Sequence, residues 1–339
     1  MVALGLNRWD WRSAEQFAAS ARAAEEAGLQ WALLPVNPLA VPDPYVLMAA
    51  GLEATTTMGF GTLVETPVLR PPAVAAGSLA TIARGNEHRV LFTYGIGDTA
   101  VRWLGLAPAR IVELEAATRD LRALVSGEGL DVGADRPAFV RGAVRVPVWV
   151  AASGPRSLRA AGRAADGVFM RVGVHPENVR EAVRQVRDGA LEAGRSPEDV
   201  AIGLIVHCCR SQDAHEIEMV SRAMAAGFYE YAPALFTPPG FEWNGPPIEE
   251  LRARVWPDFH HAPDLVAAGE AVSFLSEEVA ANFSLFGTTA DVAATLRRVL
   301  DEVPQVSIVV PHPVPMPDPD EQRAYASWAG EQLAPLLAP

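Results

Sequence analysis

Short runs of apolar and β-branched residues alternate along this chain with stretches rich in alanine, arginine and glutamate. The apolar runs predict eight strands, at residues 2–6, 31–34, 58–63, 89–94, 146–151, 167–171, 200–208 and 306–310. The intervening and following stretches predict helices at residues 13–27, 45–55, 71–84, 109–125, 156–165, 177–193, 289–300 and 321–336. Eight β–α units in strict alternation predict an α/β protein with a parallel sheet. Closure into a (β/α)8 TIM barrel is the usual form of such a sheet, and an open doubly wound sheet is the alternative.

The segment between the seventh and eighth predicted strands is too long for a simple connection. Residues 211–287 combine helical runs at 217–228 and 263–275 with a proline-, glycine- and tryptophan-rich stretch at 237–247. We interpret this segment as an insertion that covers the mouth of the barrel. The whole chain, residues 1–339, is then a single domain.

Local signals predict where several elements begin and end. Ser13 and Gln16 have capping-box spacing at the start of the first helix. Thr288 and Asp291 begin the helix that leads into the last strand. The proline-rich stretch 311–319 after that strand predicts a loop.

Composition and charge exclude several classes of function. The formal net charge of −13 argues against a nucleic-acid-binding surface. All 28 residues counted as lysine or arginine are arginines, so Schiff-base chemistry through lysine is excluded. The two cysteines, Cys208 and Cys209, are adjacent, which gives no disulfide framework and predicts buried strand residues. Because we find no secretion signal and no membrane-spanning apolar run, we expect a cytoplasmic protein without a membrane partner.

A glycine-rich stretch follows the fourth predicted strand. Residues 94–100, YGIGDTA, partly match the dinucleotide-binding pattern G-x-G-x-x-A. No acidic residue clearly ends the next strand, where a ribose would need one. We therefore favour a tight strand-to-helix turn that requires glycine.

Two further strand ends carry polar residues. After the fifth strand, Ser153 is predicted to cap a helix whose first-turn amides, with Arg156, suit a phosphate; an ordinary helix start is the alternative. After the third strand, Glu65 lies among apolar residues. A carboxylate at this edge of a barrel is a candidate for acid–base chemistry, and a solvated loop glutamate is the alternative.

Histidines also lie near strand ends. His207 is in the seventh strand, His260 and His261 are in the insertion, and His312 follows the eighth strand. Parallel strand ends of a barrel lie at one face, so His207 is either an active-site residue or a packed, hydrogen-bonded one. The spacing does not match a metal site, and we expect no metal.

Four segments in order, residues 61–72, 89–105, 146–170 and 286–292, match the pattern of a known family. They include Arg-Pro-Pro at 70–72, the Gly-Asp turn at 97–98, Ala-Ser-Gly-Pro at 152–155 and Gly-Thr at 287–288. The chain resembles the luciferase-like monooxygenases, in particular the reductases of the methylenetetrahydromethanopterin reductase type that use coenzyme F420.

This resemblance implies a barrel that binds its cofactor at the carboxyl ends of the strands. It implies a cis peptide bond between Leu63 and Val64 behind the cofactor ring, and a phosphate site at the start of the helix after the fifth strand. The cofactor-binding residues that it implies are Asn37, Leu63, Val64, Glu65, Gly97, Asp98, Ala152, Ser153, Gly154, Pro155, Arg156 and Met170.

One departure from the family pattern concerns the proton donor. Many relatives carry an acid–histidine pair after the second strand, where this chain has Val36 and Asn37. The resemblance therefore leaves catalysis to other residues near the mouth. The catalytic residues that we expect are Glu65, Asp98 and His207, with His260 or solvent as alternatives.

The family's two cofactors predict different chemistry. Coenzyme F420, an 8-hydroxy-5-deazaflavin, transfers hydride, which predicts an oxidoreductase acting on a small organic substrate. FMN at the same mouth predicts a monooxygenase that inserts oxygen from O2. A barrel that binds flavin without catalysis is a third hypothesis, based on Val36 and Asn37. We favour F420, and the resemblance also implies a homodimer.

Overall fold

The computed structural model describes residues 2–315 and 318–337. Within these ranges one parallel sheet contains the strands β1 Ala3–Leu6, β2 Trp31–Leu34, β3 Gly59–Thr62, β4 Val90–Tyr94, β5 Val148–Ala152, β6 Gly167–Met170, β7 Ala201–Cys208, β8 Ser284–Leu285 and β9 Val306–Pro313. Strands β1 to β7 pair in sequence, β7 pairs with β9, and β9 pairs with β1. This order closes a ring of eight strands, and β8 pairs with β7 outside it. The predicted (β/α)8 barrel is confirmed.

Helices connect these strands. They are α1 Ala14–Glu26, α2 Pro44–Ala54, α3 Pro72–Ile82, α4 Thr99–Arg102, α5 Ile111–Val125, α6 Pro155–Ala164, α7 Pro176–Glu192, α8 Ala214–Tyr231, α9 Ile248–Arg252, α10 Leu265–Glu270, α11 Glu277–Ala280, α12 Thr289–Glu302, α13 Pro319–Trp328 and α14 Ala334–Leu337. The Ser13 side chain accepts a hydrogen bond from the Gln16 backbone, and Thr288 forms a capping box with Asp291. These predicted helix starts are therefore confirmed.

Several element boundaries differ from the sequence prediction by a few residues, including those of one helix and one loop. The helix expected at 263–275 is the shorter α10, which begins after the Asp264 cap and ends before Ala271. The prediction of a loop at 311–319 is wrong for its first three residues, because β9 continues to Pro313. The pairing of β9 with β1 ends at Val309, opposite Leu4, so the missing N–H groups of Pro311 and Pro313 cost β9 no bond on that side. The part of that loop at residues 316 and 317 lies outside the described residues.

Strands β7 and β9 extend further at their carboxyl ends than their neighbours. Strand β6 ends at Met170, opposite Leu204 of β7. The pairing of β7 with β9 continues to Cys208, opposite Pro313. Both strands therefore rise about four residues, roughly 13 Å, above the end of β6.

The core has two parts. Alternate strand side chains fill the barrel interior, including Leu33, Trp149 and Phe169, all buried. A Cβ atom at Gly203 would lie 2.5 Å from the Phe169 ring, so the glycine makes room for this aromatic side chain. The outward-facing strand residues pack under the helices. Among the described helices, none combines the length and the apolar character needed to cross a bilayer.

Candidate functional site

The carboxyl ends of the strands form one rim of the barrel, because every strand pair in the ring is parallel. The loops after β3, β4 and β5 are neighbours on this rim. The ends of β6, β7, β9 and β1 form the other side. The predicted site residues therefore lie at one face, where barrel enzymes have their active sites.

The loop after β3 bulges towards β4. The peptide bond between Leu63 and Val64 is cis, as the family resemblance implied. After the bulge, the Glu65 backbone N–H donates to the Thr93 carbonyl at 2.9 Å, and the Gly95 N–H donates to the Glu65 carbonyl at 2.8 Å. These bonds anchor the bulge to β4.

Two glycines after β4 allow the bulge to approach closely. A Cβ atom at Gly95 would lie 2.8 Å from Val64 Cγ2. Gly97 has a φ of 78°, and a Cβ atom there would lie 2.9 Å from Thr66 Oγ1. The glycine-rich stretch is therefore a tight turn packed against the bulge, as the sequence favoured, and it lies in a closed barrel rather than in a dinucleotide-binding fold.

Glu65 lies beneath the rim in a network of its own. Its side chain is 1% exposed and accepts from the Thr66 N–H at 3.0 Å and from Tyr45 Oη at 3.4 Å. Arg70 Nε lies 3.2 Å from its Oε2. Burial raises the pKa of Glu65 to about 7, because the loss of hydration outweighs the opposing effects of these partners.

The helix α6 begins beside a cavity of about 490 Å³. The predicted cap at Ser153 is wrong: Gly154 is the N-cap residue and Pro155 occupies the first turn, so the cap lies one residue later. Ser153 and Pro155 instead line the cavity, together with Val172, Asn178 and other residues of α7 and the insertion.

A Cβ atom at Gly154 would meet its nearest neighbour, Ser157 Oγ, at 4.0 Å, so the backbone of this helix start is open. Arg156 is exposed, and Ala152 and Met170 are buried neighbours across β5 and β6. The cavity lining does not include the β3 bulge or the Gly97 turn. Asn37, after β2, is half-buried, and its side chain accepts from the Leu39 N–H at 3.2 Å.

The other side of the rim carries Arg8, Arg171, His207 and His312, which we call the arginine–histidine arc. Arg8 follows β1 and Arg171 follows β6, while His207 and His312 are register partners on β7 and β9. The two imidazole centroids are 5.3 Å apart, and Arg171 Nη2 lies 3.5 Å from His207 Nε2. Asn7 joins the ends of the arc: its carbonyl accepts from Arg8 at 3.0 Å and its side chain contacts His312 Nδ1 at 2.9 Å.

The insertion adds His260 to this arc. Its ring centroid lies 4.7 Å from that of His207, its Nδ1 contacts Arg171, and its Nε2 lies 2.9 Å from the Met224 carbonyl. Burial, followed by the nearby arginine charges, lowers the pKa of His207, His260 and His312 well below the usual value. These imidazoles are therefore neutral near pH 7. In residues 2–315 and 318–337, no group of His, Cys, Asp or Glu side chains is arranged to hold a metal.

Asp98 links the rim to the insertion. Its carboxylate accepts from Arg102 of α4 and from the Tyr231 hydroxyl at the end of α8. Tyr231 in turn stacks on His260, with 5.7 Å between ring centroids. The three predicted catalytic residues thus have separate direct partners, and Asp98 approaches His207 only through Tyr231 and His260.

Comparison with known proteins identifies the family. The family model described as luciferase-like monooxygenase matches residues 6–303. The chain belongs to this family.

One curated relative is a 5,10-methylenetetrahydromethanopterin reductase of Methanolobus tindarius. The alignment is 25% identical and covers 54% of this chain and 58% of the relative. An F420-dependent glucose-6-phosphate dehydrogenase of Mycolicibacterium gilvum (strain PYR-GCK) is 33% identical over 56% of the chain and 64% of the relative. The chain thus spans less than two thirds of the length of these relatives.

Solved structures share the fold over nearly the whole chain. The coenzyme F420 dependent tetrahydromethanopterin reductase from Methanopyrus kandleri superposes with a TM-score of 0.73 at 18% identity, covering 99% of both chains. A monooxygenase from Streptomyces bottropensis gives a TM-score of 0.64 at 20% identity, covering 99% of this chain and 100% of that one. At such identities the likeness concerns the fold.

The sequence prediction gave no binding or catalytic role to three residues at the mouth: Arg8, Arg171 and Tyr231. Arg8 lies two residues after β1 and Arg171 directly after β6. A search for charged residues just beyond each predicted strand would have found both. Tyr231 has no comparable signal, because only the path of α8 brings it to Asp98.

Proposed function

We propose that this protein is an oxidoreductase that transfers a hydride between coenzyme F420 and a small organic substrate. The observation that carries this proposal is the open start of α6 beside the cavity, on the rim of a barrel of this family. One of the two curated relatives is by its name an F420-dependent dehydrogenase, which supports F420 as the cofactor, and the other is a methylenetetrahydromethanopterin reductase.

The residues after β3, β4 and β5 fit a phosphate-bearing tricyclic cofactor. The first-turn N–H groups of α6 have no partners within the helix, and the positive end of the helix dipole favours an anion. Gly154 leaves space for a phosphate to approach these groups. Leu63, Val64, Gly97 and Met170 would then contact the ring.

The bound deazaflavin supplies a carbon centre that gives or takes a hydride, which the side chains of this protein do not offer. The protein then orients the substrate against it and excludes water. His207 suits hydrogen bonding to the substrate, because it is neutral and its buried Nδ1 has no hydrogen-bond partner among the described residues. Asp98 holds the Tyr231 side chain in place by accepting a hydrogen bond from its hydroxyl group. The backbone of Glu65 holds the β3 bulge against β4.

An FMN-dependent monooxygenase is the alternative function, because monooxygenases share this fold. Titration of the purified chain with F420 and separately with FMN, followed by cofactor fluorescence, separates the two. We expect saturable, micromolar binding of F420. Binding of FMN without F420 would establish the alternative cofactor, and binding of neither would favour a barrel that has lost catalysis.

A further inference from the structure

The arginine–histidine arc contains two arginines that have no carboxylate partner. Arg8 donates from Nη1 to the Asn7 carbonyl, and its buried Nε has no hydrogen-bond partner in the described part of the chain. Arg171 contacts the ring nitrogens of His207 and His260. Across residues 2–315 and 318–337, neither guanidinium group lies within ion-pair distance of an aspartate or glutamate.

The carboxylates on the insertion side of Arg171 already have other partners. Asp98 binds Arg102, Asp258 binds His261 at 2.8 Å, and Glu230 binds Arg252 at 2.7 Å. These three acids are near enough to raise the pKa of Arg171, yet burial lowers it overall. The part of the chain that the structure describes therefore provides no carboxylate in direct contact with the positive charge of the arc.

Keeping two such charges close together is unfavourable for the protein alone. Burial lowers the pKa of Arg8 to about 10, and the charge of Arg171 contributes to this. Both side chains are half-buried, and a charge that is partly removed from water without a partner is unfavourable, so proteins usually pair it or remove it. Two arginines without a carboxylate partner at the mouth of a barrel therefore favour the binding of an anion from outside the chain.

The tautomer of His207 adds a neutral donor to this pair. Arg171 is only a donor, so the Nε2 atom that it contacts is the acceptor nitrogen of the ring. The proton of the neutral imidazole then lies on Nδ1, which is buried and has no acceptor among the described residues. The arc thus presents N–H groups from three side chains. Those at Arg8 Nε and His207 Nδ1 have no acceptor within residues 2–315 and 318–337.

We propose that the substrate carries an oxyanion, a carboxylate or a phosphate, which binds to Arg8 and Arg171 with the His207 Nδ1–H as a neutral donor. This inference rests on the proposed function, because it assigns the substrate class of the same site. The side of the rim after β3, β4 and β5 then binds the cofactor, and the arc binds the anionic end of the substrate.

The full-length protein without cofactor tests this proposal directly. Inorganic phosphate and benzoate serve as probes, each titrated by calorimetry against sodium chloride of equal ionic strength. We expect saturable binding of at least one probe, and the stronger one indicates whether the natural group is a phosphate or a carboxylate. Absence of saturable binding of both would overturn the proposal.

Two variants and a matched control locate the binding. Because charge-assisted hydrogen bonds are the strong ones, Arg8→Gln and Arg171→Gln should each weaken the affinity for the probe about tenfold to a hundredfold. Arg195→Gln should leave it unchanged. Arg195 is also half-buried with a pKa lowered by burial, but it bonds to the Gly162 carbonyl at the opposite face of the barrel.

Two further measurements distinguish a binding role from a structural one. Without anion, Arg8→Gln and Arg171→Gln should keep or raise the Tm, because each removes a charge that has no carboxylate partner among the described residues. A lower Tm together with wild-type affinity for the probe would overturn the proposal. Titration of the same variants with F420 should give the wild-type Kd, and a weakened Kd would assign the arc to the cofactor's own anionic groups instead. If the wild-type protein does not bind F420, the proposed function fails, while the titrations with phosphate and benzoate still test whether the arc binds an anion.

Discussion

The packing of the β3 bulge against Gly95 gives the sharpest structural test of the cofactor side of the rim. A Cβ atom at Gly95 would lie 2.8 Å from Val64 Cγ2 and 3.4 Å from Val64 Cβ. Gly95 does not have a positive φ, so alanine meets no backbone penalty there. Gly95→Ala therefore acts through one contact, which forces Val64 to move.

The expected magnitude follows from this contact. Overpacking of a well-packed position costs about 1–3 kcal/mol. Val64→Ala alone removes two carbon groups from a half-buried side chain, which costs up to about 1.6 kcal/mol. Because Val64→Ala also removes the Cγ2 atom that alanine at position 95 would meet, the double variant should be more stable than the sum of the two changes by about 0.5–2 kcal/mol.

Urea unfolding of the wild type, both single variants and the double variant measures this coupling. Gly77→Ala is the control, because a Cβ atom there has no neighbour within 4 Å. F420 titrations of the same proteins should show weaker binding for Gly95→Ala and partial recovery in the double variant. Strictly additive free energies of unfolding would refute the packing argument.

Three further predictions concern single residues of the rim. Burial raises the pKa of Glu65 from 4.5 to about 7, so its stabilising contribution is complete below pH 4.5 and is lost, by about 3 kcal/mol, as the pH rises through 7. Between pH 4.5 and 7, Glu65→Leu should reduce the dependence of the free energy of unfolding on pH, whereas Glu53→Leu, at an exposed position, should not. Equal slopes of this free energy against pH for the wild type and Glu65→Leu would contradict the raised pKa of Glu65. Gly154→Val should weaken F420 binding about tenfold or more by crowding the α6 N-terminus, and unchanged fluorescence titrations would remove the phosphate from this site. His207→Phe, which keeps the ring and removes its nitrogens, should lower kcat/KM about tenfold or more at an unchanged F420 Kd, and wild-type turnover would return His207 to a packing role.

Most of the architecture follows from local patterns in the sequence. Each strand of the ring is a short apolar run, and the helix caps at Ser13 and Thr288 are visible as spacing. The end of β9 was not predictable in this way, because Pro311 and Pro313 normally stop a strand. Both prolines are tolerated because the pairing of β9 with β1 ends at Val309, before them, and this depends on the assembled barrel.

The site was predictable where it is local in sequence and not where it is assembled from distant segments. The glycine turn after β4 and the start of α6 each lie within one short stretch. The contacts of Arg171 with His207 and His260 join residues 36 and 89 positions apart, so no spacing rule indicates them. Glu65 was expected near the chemistry, yet its burial against Tyr45 and Arg70 depends on how α2 packs beneath the rim.

The long pairing of β7 with β9 determines how rigidly the arc is held. His207 and His312 lie within this ladder rather than on loops, and Cys208 and Pro313 continue it beyond them. Amides in such a ladder open to solvent mainly through global unfolding, so they should be among the slowest in hydrogen exchange. The imidazoles are consequently preorganised before any ligand arrives, and little conformational entropy is lost when one binds.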